Sequence, residues 1–112
     1  GTLNTIGCFG LKASVELLLE VGQGETAPVI QKLGDRIAAG ARAKGYELLG
    51  TRTPETGAGI VSFRKPGMHA TGGVRILPEQ KTVAAPRAGG VRASPPFYIS
   101  PAEIDRLIDT LP

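Results

Sequence analysis

The stretch VRASPPFYISPAEIDRLIDTL, Val91–Leu111, carries the most specific signals in the chain. Ser100-Pro101-Ala102-Glu103 reads as a capping box, in which the serine and glutamate side chains each accept the other residue's backbone N–H. Pro101 falls at the first helical position, where a missing N–H costs nothing. Ile99 and Ile104 match a hydrophobic staple, and Ile104, Leu107, Ile108 and Leu111 form an apolar stripe at helical spacing. A helix is therefore predicted from residue 101. Ahead of it, Gly90–Ser94 reads as a strand, and Lys81–Ala85 as another, joined by a turn over Pro86–Gly89.

Further upstream, residues 66–80 are broken by Gly67, Gly72, Gly73 and Pro78 and give no regular pattern. Gly59–Arg64 reads as a strand, with Ile60 and Ser62 on one face and Val61 and Phe63 on the other. Tyr46–Thr51 reads as its antiparallel neighbour. Before them stands a long helix capped by Thr26, with Pro28 in its first turn and Val29, Ile30, Leu33, Ile37 and Ala41 on one face. Gly45 is its expected left-handed stop, and Lys44 suits the negative end of the helix dipole. Gly34 and Gly40 each cost the helix roughly 1 kcal/mol relative to Ala, so it must rely on packing. An earlier helix is expected from Leu11 to Gly22, on the spacing of Leu11, Val15, Leu18 and Leu19. Residues 1–10 show no clear period. The order predicts an α/β (α+β two-layer sandwich) domain: a small, mostly antiparallel sheet with helices packed on one face.

Length and composition bound the rest. The 112 residues make one domain. Leu, Ile, Val and Phe number 29, enough for a core, and tryptophan is absent, so that core must be aliphatic. Sixteen glycines and nine prolines call for many turns. No apolar run reaches membrane-spanning length, and the first residues show no n-region and h-region of a secretory signal. One cysteine, Cys8, excludes an internal disulfide framework, and with one histidine, His69, it excludes a zinc finger. A reducing cytoplasm is the expected compartment. The chain opens on Gly1 rather than Met, as expected of either an excised piece or a trimmed chain. Net charge is +3, with the basic residues gathered in the middle: residues 32–92 hold eleven Lys or Arg against four acids. Such a balance suits an anionic partner or a solvated surface. The aromatic interleaving of a single-strand nucleic-acid binder is missing.

A self-contained active site is hard to assemble. His69 has no Ser–Asp partner motif and is expected in an exposed loop. Cys8, without a nearby base, is expected to be a small buried hydrophobe. No carboxylate cluster suggests a metal, and neither GxGxxG after a strand nor GxxxxGK[ST] occurs. Arg92 stands out: a mid-strand arginine among glycines and prolines presents a rigid fork of donors suited to a carboxylate, or else faces water from an edge.

Taken together, Val91-Arg92-Ala93-Ser94, the pair Phe97-Tyr98 and Glu103-Ile104-Asp105-Arg106-Leu107 resemble the C-terminal end of class V aminotransferase-like enzymes. These are fold-type I enzymes dependent on pyridoxal 5'-phosphate (PLP), and include cysteine desulfurases, selenocysteine lyase and isopenicillin N epimerase-like proteins. The opening GTLN with the helix ASVELLLEVG is similar to the family's G-T-P-N segment and following helix, and GIVSFR to the strand after its long helix. The resemblance covers nearly the whole chain and is weakest over residues 66–80.

The resemblance implies the small, C-terminal domain of a larger enzyme, with residues 1–22 a connecting segment and helix and residues 23–112 the domain core. The PLP lysine would belong to the missing large domain, since none of Lys12, Lys32, Lys44, Lys65 or Lys81 stands in its motif. The chain alone would then bind no cofactor and be inactive. Arg92 matches the family arginine that binds the substrate α-carboxylate. Thr2 matches the threonine that hydrogen-bonds the PLP phosphate of the neighbouring subunit, which implies a homodimer. The expected partners are therefore the large domain, a second subunit and an amino-acid substrate, with no nucleic acid, metal or membrane. Residues 64–91 lack the nucleophilic cysteine of desulfurases, so transamination, lyase or epimerase-like chemistry fits better than persulfide formation. The alternative is a non-catalytic α/β binding or regulatory module with a basic surface.

Overall fold

A computed structural model describes residues 1–67 and 84–112. Among them, two long helices lead into a four-stranded antiparallel sheet, and a third helix closes the order: α1 (Thr5–Val21), α2 (Gln23–Ala43), β1 (Glu47–Leu48), β2 (Val61–Arg64), β3 (Ala85–Arg87), β4 (Gly90–Ala93) and α3 (Pro101–Thr110). The α+β sandwich expected from the sequence is the one observed. His69, most of the irregular stretch 66–80 and the start of the expected strand Lys81–Ala85 lie outside the described residues.

Helix α1 begins six residues earlier than its periodicity suggests. Asn4 caps it, its side-chain oxygen accepting the Gly7 N–H at 2.9 Å. Asparagine at a helix start supplies what the apolar pattern does not announce. No residue of α1 is buried, and Cys8 within it is exposed, contrary to the expected buried role.

Gly22, at φ 89°, separates α1 from α2 without a turn between them. Thr26 is therefore not the cap of α2. Its N–H already bonds the Gly22 carbonyl at 3.1 Å, its hydroxyl donates back to the Gln23 carbonyl at 3.4 Å, and it is buried. Pro28 falls in the second turn, where it deprives the helix of one backbone bond. The far end is as expected: Gly45 takes φ 84°, its N–H bonds the Arg42 carbonyl at 3.0 Å and the Tyr46 N–H bonds Ala41 at 3.0 Å. This pair of bonds is a Schellman motif.

Leu33, Ile37, Ala38 and Ala41 of α2 meet Val61 and Phe63 of β2, Val91 and Ala93 of β4, and Ile104, Leu107 and Leu111 from the last helix and its end. All members of this core lie between residues 33 and 111. The glycines inside α2 permit close approach. A Cβ on Gly40 would stand 2.7 Å from Ile108 Cγ1, and one on Gly34 would stand 2.5 Å from the Arg52 guanidinium. The packing that offsets their poor helix propensity is thus the approach of α3 and of the β1–β2 loop.

The capping box of α3 is formed in full. The Glu103 N–H donates to Ser100 Oγ at 3.3 Å, and the Ser100 N–H donates to Glu103 Oε2 at 2.8 Å. Arg36 on α2 grips Asp105 on α3 with two bonds of 2.7 Å.

Candidate functional site

The sheet runs β1-β2-β4-β3, every pair antiparallel. Val91 and Ala93 point to the helices and are buried, so alternation puts Arg92 between them on the opposite, open face. Ser62 on β2 and Ala85 on β3 lie directly across from Arg92. Leu49, whose N–H bonds the Ser62 carbonyl at 2.8 Å, continues this row. The next row holds Arg87, Gly90, Arg64 and Glu47. Gly90 is required there: a Cβ would fall 2.6 Å from the Phe63 carbonyl oxygen and 2.9 Å from Leu49.

Charge on this face is unevenly satisfied. Arg64 is paired with Glu47 across the β1–β2 register. Among the described residues, the side chains of Arg92 and Arg87 make neither an ion pair nor a hydrogen bond. Arg92 is half-buried and Arg87 exposed. No described element covers the open face on which Arg92 stands. A cleft of about 250 Å³ lies beside the helices instead, lined by Ile37, Ala93, Pro96, Ile99, Ile104 and Leu107 among others. A smaller hollow of about 100 Å³ borders Leu49 and Ser62.

The β3–β4 hairpin corrects one reading and adds a residue. The turn is Ala88–Gly89 alone, with φ of 49° and 75°, the two positive values of a tight two-residue hairpin. Pro86 is therefore a strand residue opposite Val91, tolerated because β3 is an edge. Arg87 is also in the strand, on the face of Arg92. A turn over Pro86–Gly89 would leave Arg87 outside the strand; the two-residue turn puts it in. The signal is Gly89-Gly90 followed by the alternation Val91-Arg92-Ala93-Ser94.

Thr2 lies in the exposed segment before α1, and no described hydrogen bond or cleft joins it to Arg92. The described lysines stand apart from Arg92, on the helices or at the ends of α2 and β2. Lys44 donates to the carbonyls of Ile108, Asp109 and Leu111, and Lys65 lies 5.4 Å from the Tyr46 ring centre and 3.4 Å from the Pro112 carbonyl. Lys12 pairs with Glu16 at 3.7 Å on the surface of α1, and Lys32 is exposed on α2. Among the described residues no cluster of His, Cys, Asp and Glu offers a metal site, and no helix is long and apolar enough to cross a membrane.

No protein-family profile and no curated protein matches the sequence. Solved structures do match. A cysteine desulfurase from Thermococcus onnurineus NA1, in its apo form, superposes with a TM-score of 0.85 at 28% identity, over 97% of this chain and 30% of its own. The cysteine desulfurase CsdA from Escherichia coli superposes at 0.78 with 22% identity, over 98% of this chain and 30% of that one. A NifS-like protein superposes at 0.78 with 19% identity, over 97% and 33%. The chain thus spans about a third of the length of each. The resemblance in its terminal motifs and this superposition agree: the chain has the α+β fold of the small domain of cysteine desulfurase-like enzymes, the class V aminotransferase fold.

Proposed function

We propose that the chain is the C-terminal domain of a PLP-dependent, class V aminotransferase-like enzyme acting on an amino acid, and that it supplies the arginine that binds the substrate carboxylate. The observation that carries this is Arg92: a half-buried guanidinium without a counter-ion among the described residues, centred on an open sheet face. An arginine held on a strand between paired neighbours loses little freedom on meeting a planar carboxylate, and two parallel N–H···O bonds fix the ligand's orientation as well as its position. When bound in the large domain, the cofactor would supply the electron sink, and this chain would supply orientation.

The rest of the enzyme is the proposed occupant of the apolar surface of α1. Ile6, Phe9 and Leu19 are 88%, 70% and 75% exposed, in a chain a third as long as the enzymes it superposes on. An unburied helix of that composition calls for a covering surface. On this reading residues 1–22 connect the domains and residues 23–112 form the small-domain core. Thr2, at the connection, donates its hydroxyl to the PLP phosphate of a second subunit, which makes the parent a homodimer. The reaction proposed is a transamination, lyase or epimerase-like step rather than desulfuration through a persulfide. The one cysteine, Cys8, stands on α1, and residues 64–91 contain none.

Replacing Arg92 in the whole polypeptide tests the assignment. Arg92→Ala is expected to lower kcat/KM by about 100-fold or more, with Arg92→Lys retaining part of the activity. Unchanged kinetics would leave the chain a structural or binding module.

A further inference from the structure

Arg87 has no place in the reading above, and the hairpin geometry gives it one. Ala85 lies directly opposite Arg92, so Arg87, two residues on, is its diagonal neighbour on the same face. Such neighbours stand about 7–8 Å apart at the backbone, within reach for long side chains. The tight Ala88–Gly89 turn fixes this register, because a slip of one residue would turn Arg87 to the other face. Among the described residues, Glu47 is the one acid that the strands place on this face, and Arg64 already holds it. Two arginines are thereby left at diagonal positions of one face without a counter-charge among the described residues. Like charges so placed repel until an anion bridges them.

We propose that Arg87 and Arg92 together recognise an amino acid with a second acidic group, Arg92 taking the α-carboxylate and Arg87 the side-chain acid. This rests on the role of Arg92 proposed above and adds the class of substrate. Arg87 is the more exposed of the two, at the hairpin end, where it meets the distal part of a ligand anchored at Arg92. A side chain of aspartate or glutamate length spans the diagonal.

The test is a binding titration of the whole polypeptide with unreactive acids, read by calorimetry: succinate and glutarate against propionate and butyrate. The diacids are expected to bind at least about 10-fold tighter than the monoacids, as a second charge-assisted contact would give. Arg87→Ala is expected to remove that preference by weakening the diacids far more than the monoacids, with Arg87→Lys intermediate. Arg87 is exposed, so its loss should not disturb folding. Equal binding of the two classes by the wild type, or a preference that survives Arg87→Ala, overturns the inference while leaving Arg92 in place. If Arg92→Ala leaves every acid binding as before, the role of Arg92 fails, and this inference with it.

Discussion

The Lys44 ammonium, one residue past the end of α2, donates to the Ile108 carbonyl at 2.9 Å and closes the end of α3 rather than of its own helix. It also reaches the carbonyls of Asp109, at 3.2 Å, and Leu111. One side chain thus satisfies backbone acceptors that the last turn of a helix leaves free. Lys44→Met keeps the aliphatic stem and removes these bonds. It should lower unfolding free energy by about 1–3 kcal/mol. Urea titration of the 112-residue chain checks this, with Lys32→Met, on the exposed side of α2, as a neutral control.

Two glycines of α2 should respond oppositely to a side chain. Gly40→Val drives new atoms into Ile108 and should cost about 1–3 kcal/mol. Gly24→Ala meets nothing within 4 Å and should be neutral or gain up to about 1 kcal/mol. Thermal melts of the two variants distinguish a packing role for Gly40 from a mere tolerance of glycine.

Acid should loosen the contact between α3 and its neighbours. The Arg36 hydrogen bonds hold the Asp105 carboxyl below its ordinary 3.8, and bonds from the Ser100 N–H and hydroxyl hold Glu103 below 4.5. Both groups bind fewer protons folded than unfolded, so their contribution is whole above those ordinary values and is lost as pH falls through the lowered ones. Wild type should therefore exceed Asp105→Asn in urea midpoint at pH 7, and the gap should close on descent below about pH 4. A gap that stays constant to pH 2 would mean that the Arg36–Asp105 pair does not contribute through charge.

Helix α1 should be dispensable to the core and costly to solubility. None of its residues is buried, so deleting residues 1–21 should leave the near-ultraviolet signal of Tyr46 packed on Phe63, ring centres 5.4 Å apart, unchanged. Phe9→Glu with Leu19→Glu should reduce self-association of the chain, measured by sedimentation, without altering its urea midpoint.

Local rules carried the sequence furthest where they are self-contained. The Ser100–Glu103 box, the Gly45 stop and the alternation of Val61 and Phe63 need no distant partner, and all three stand as read. Thr26 and the start of α1 were misplaced because a cap is decided by the backbone turn before it. Gly22 makes that turn without a residue to spare. Arg92 was legible as a candidate from its setting and from the motif around it. Arg87 was not, since its face depends on a register that a single misplaced turn residue conceals. The fate of Lys44 depends on α3, 64 residues away in sequence, and no local pattern announces it.

The most direct measurement is the visible absorption spectrum of the whole polypeptide purified with PLP and then titrated with amino acids. The account predicts a yellow protein whose band shifts saturably on addition of an amino acid, with the half-saturation point raised at least about 10-fold by Arg92→Ala. A colourless protein that takes up no PLP, or a shift indifferent to Arg92, would contradict it.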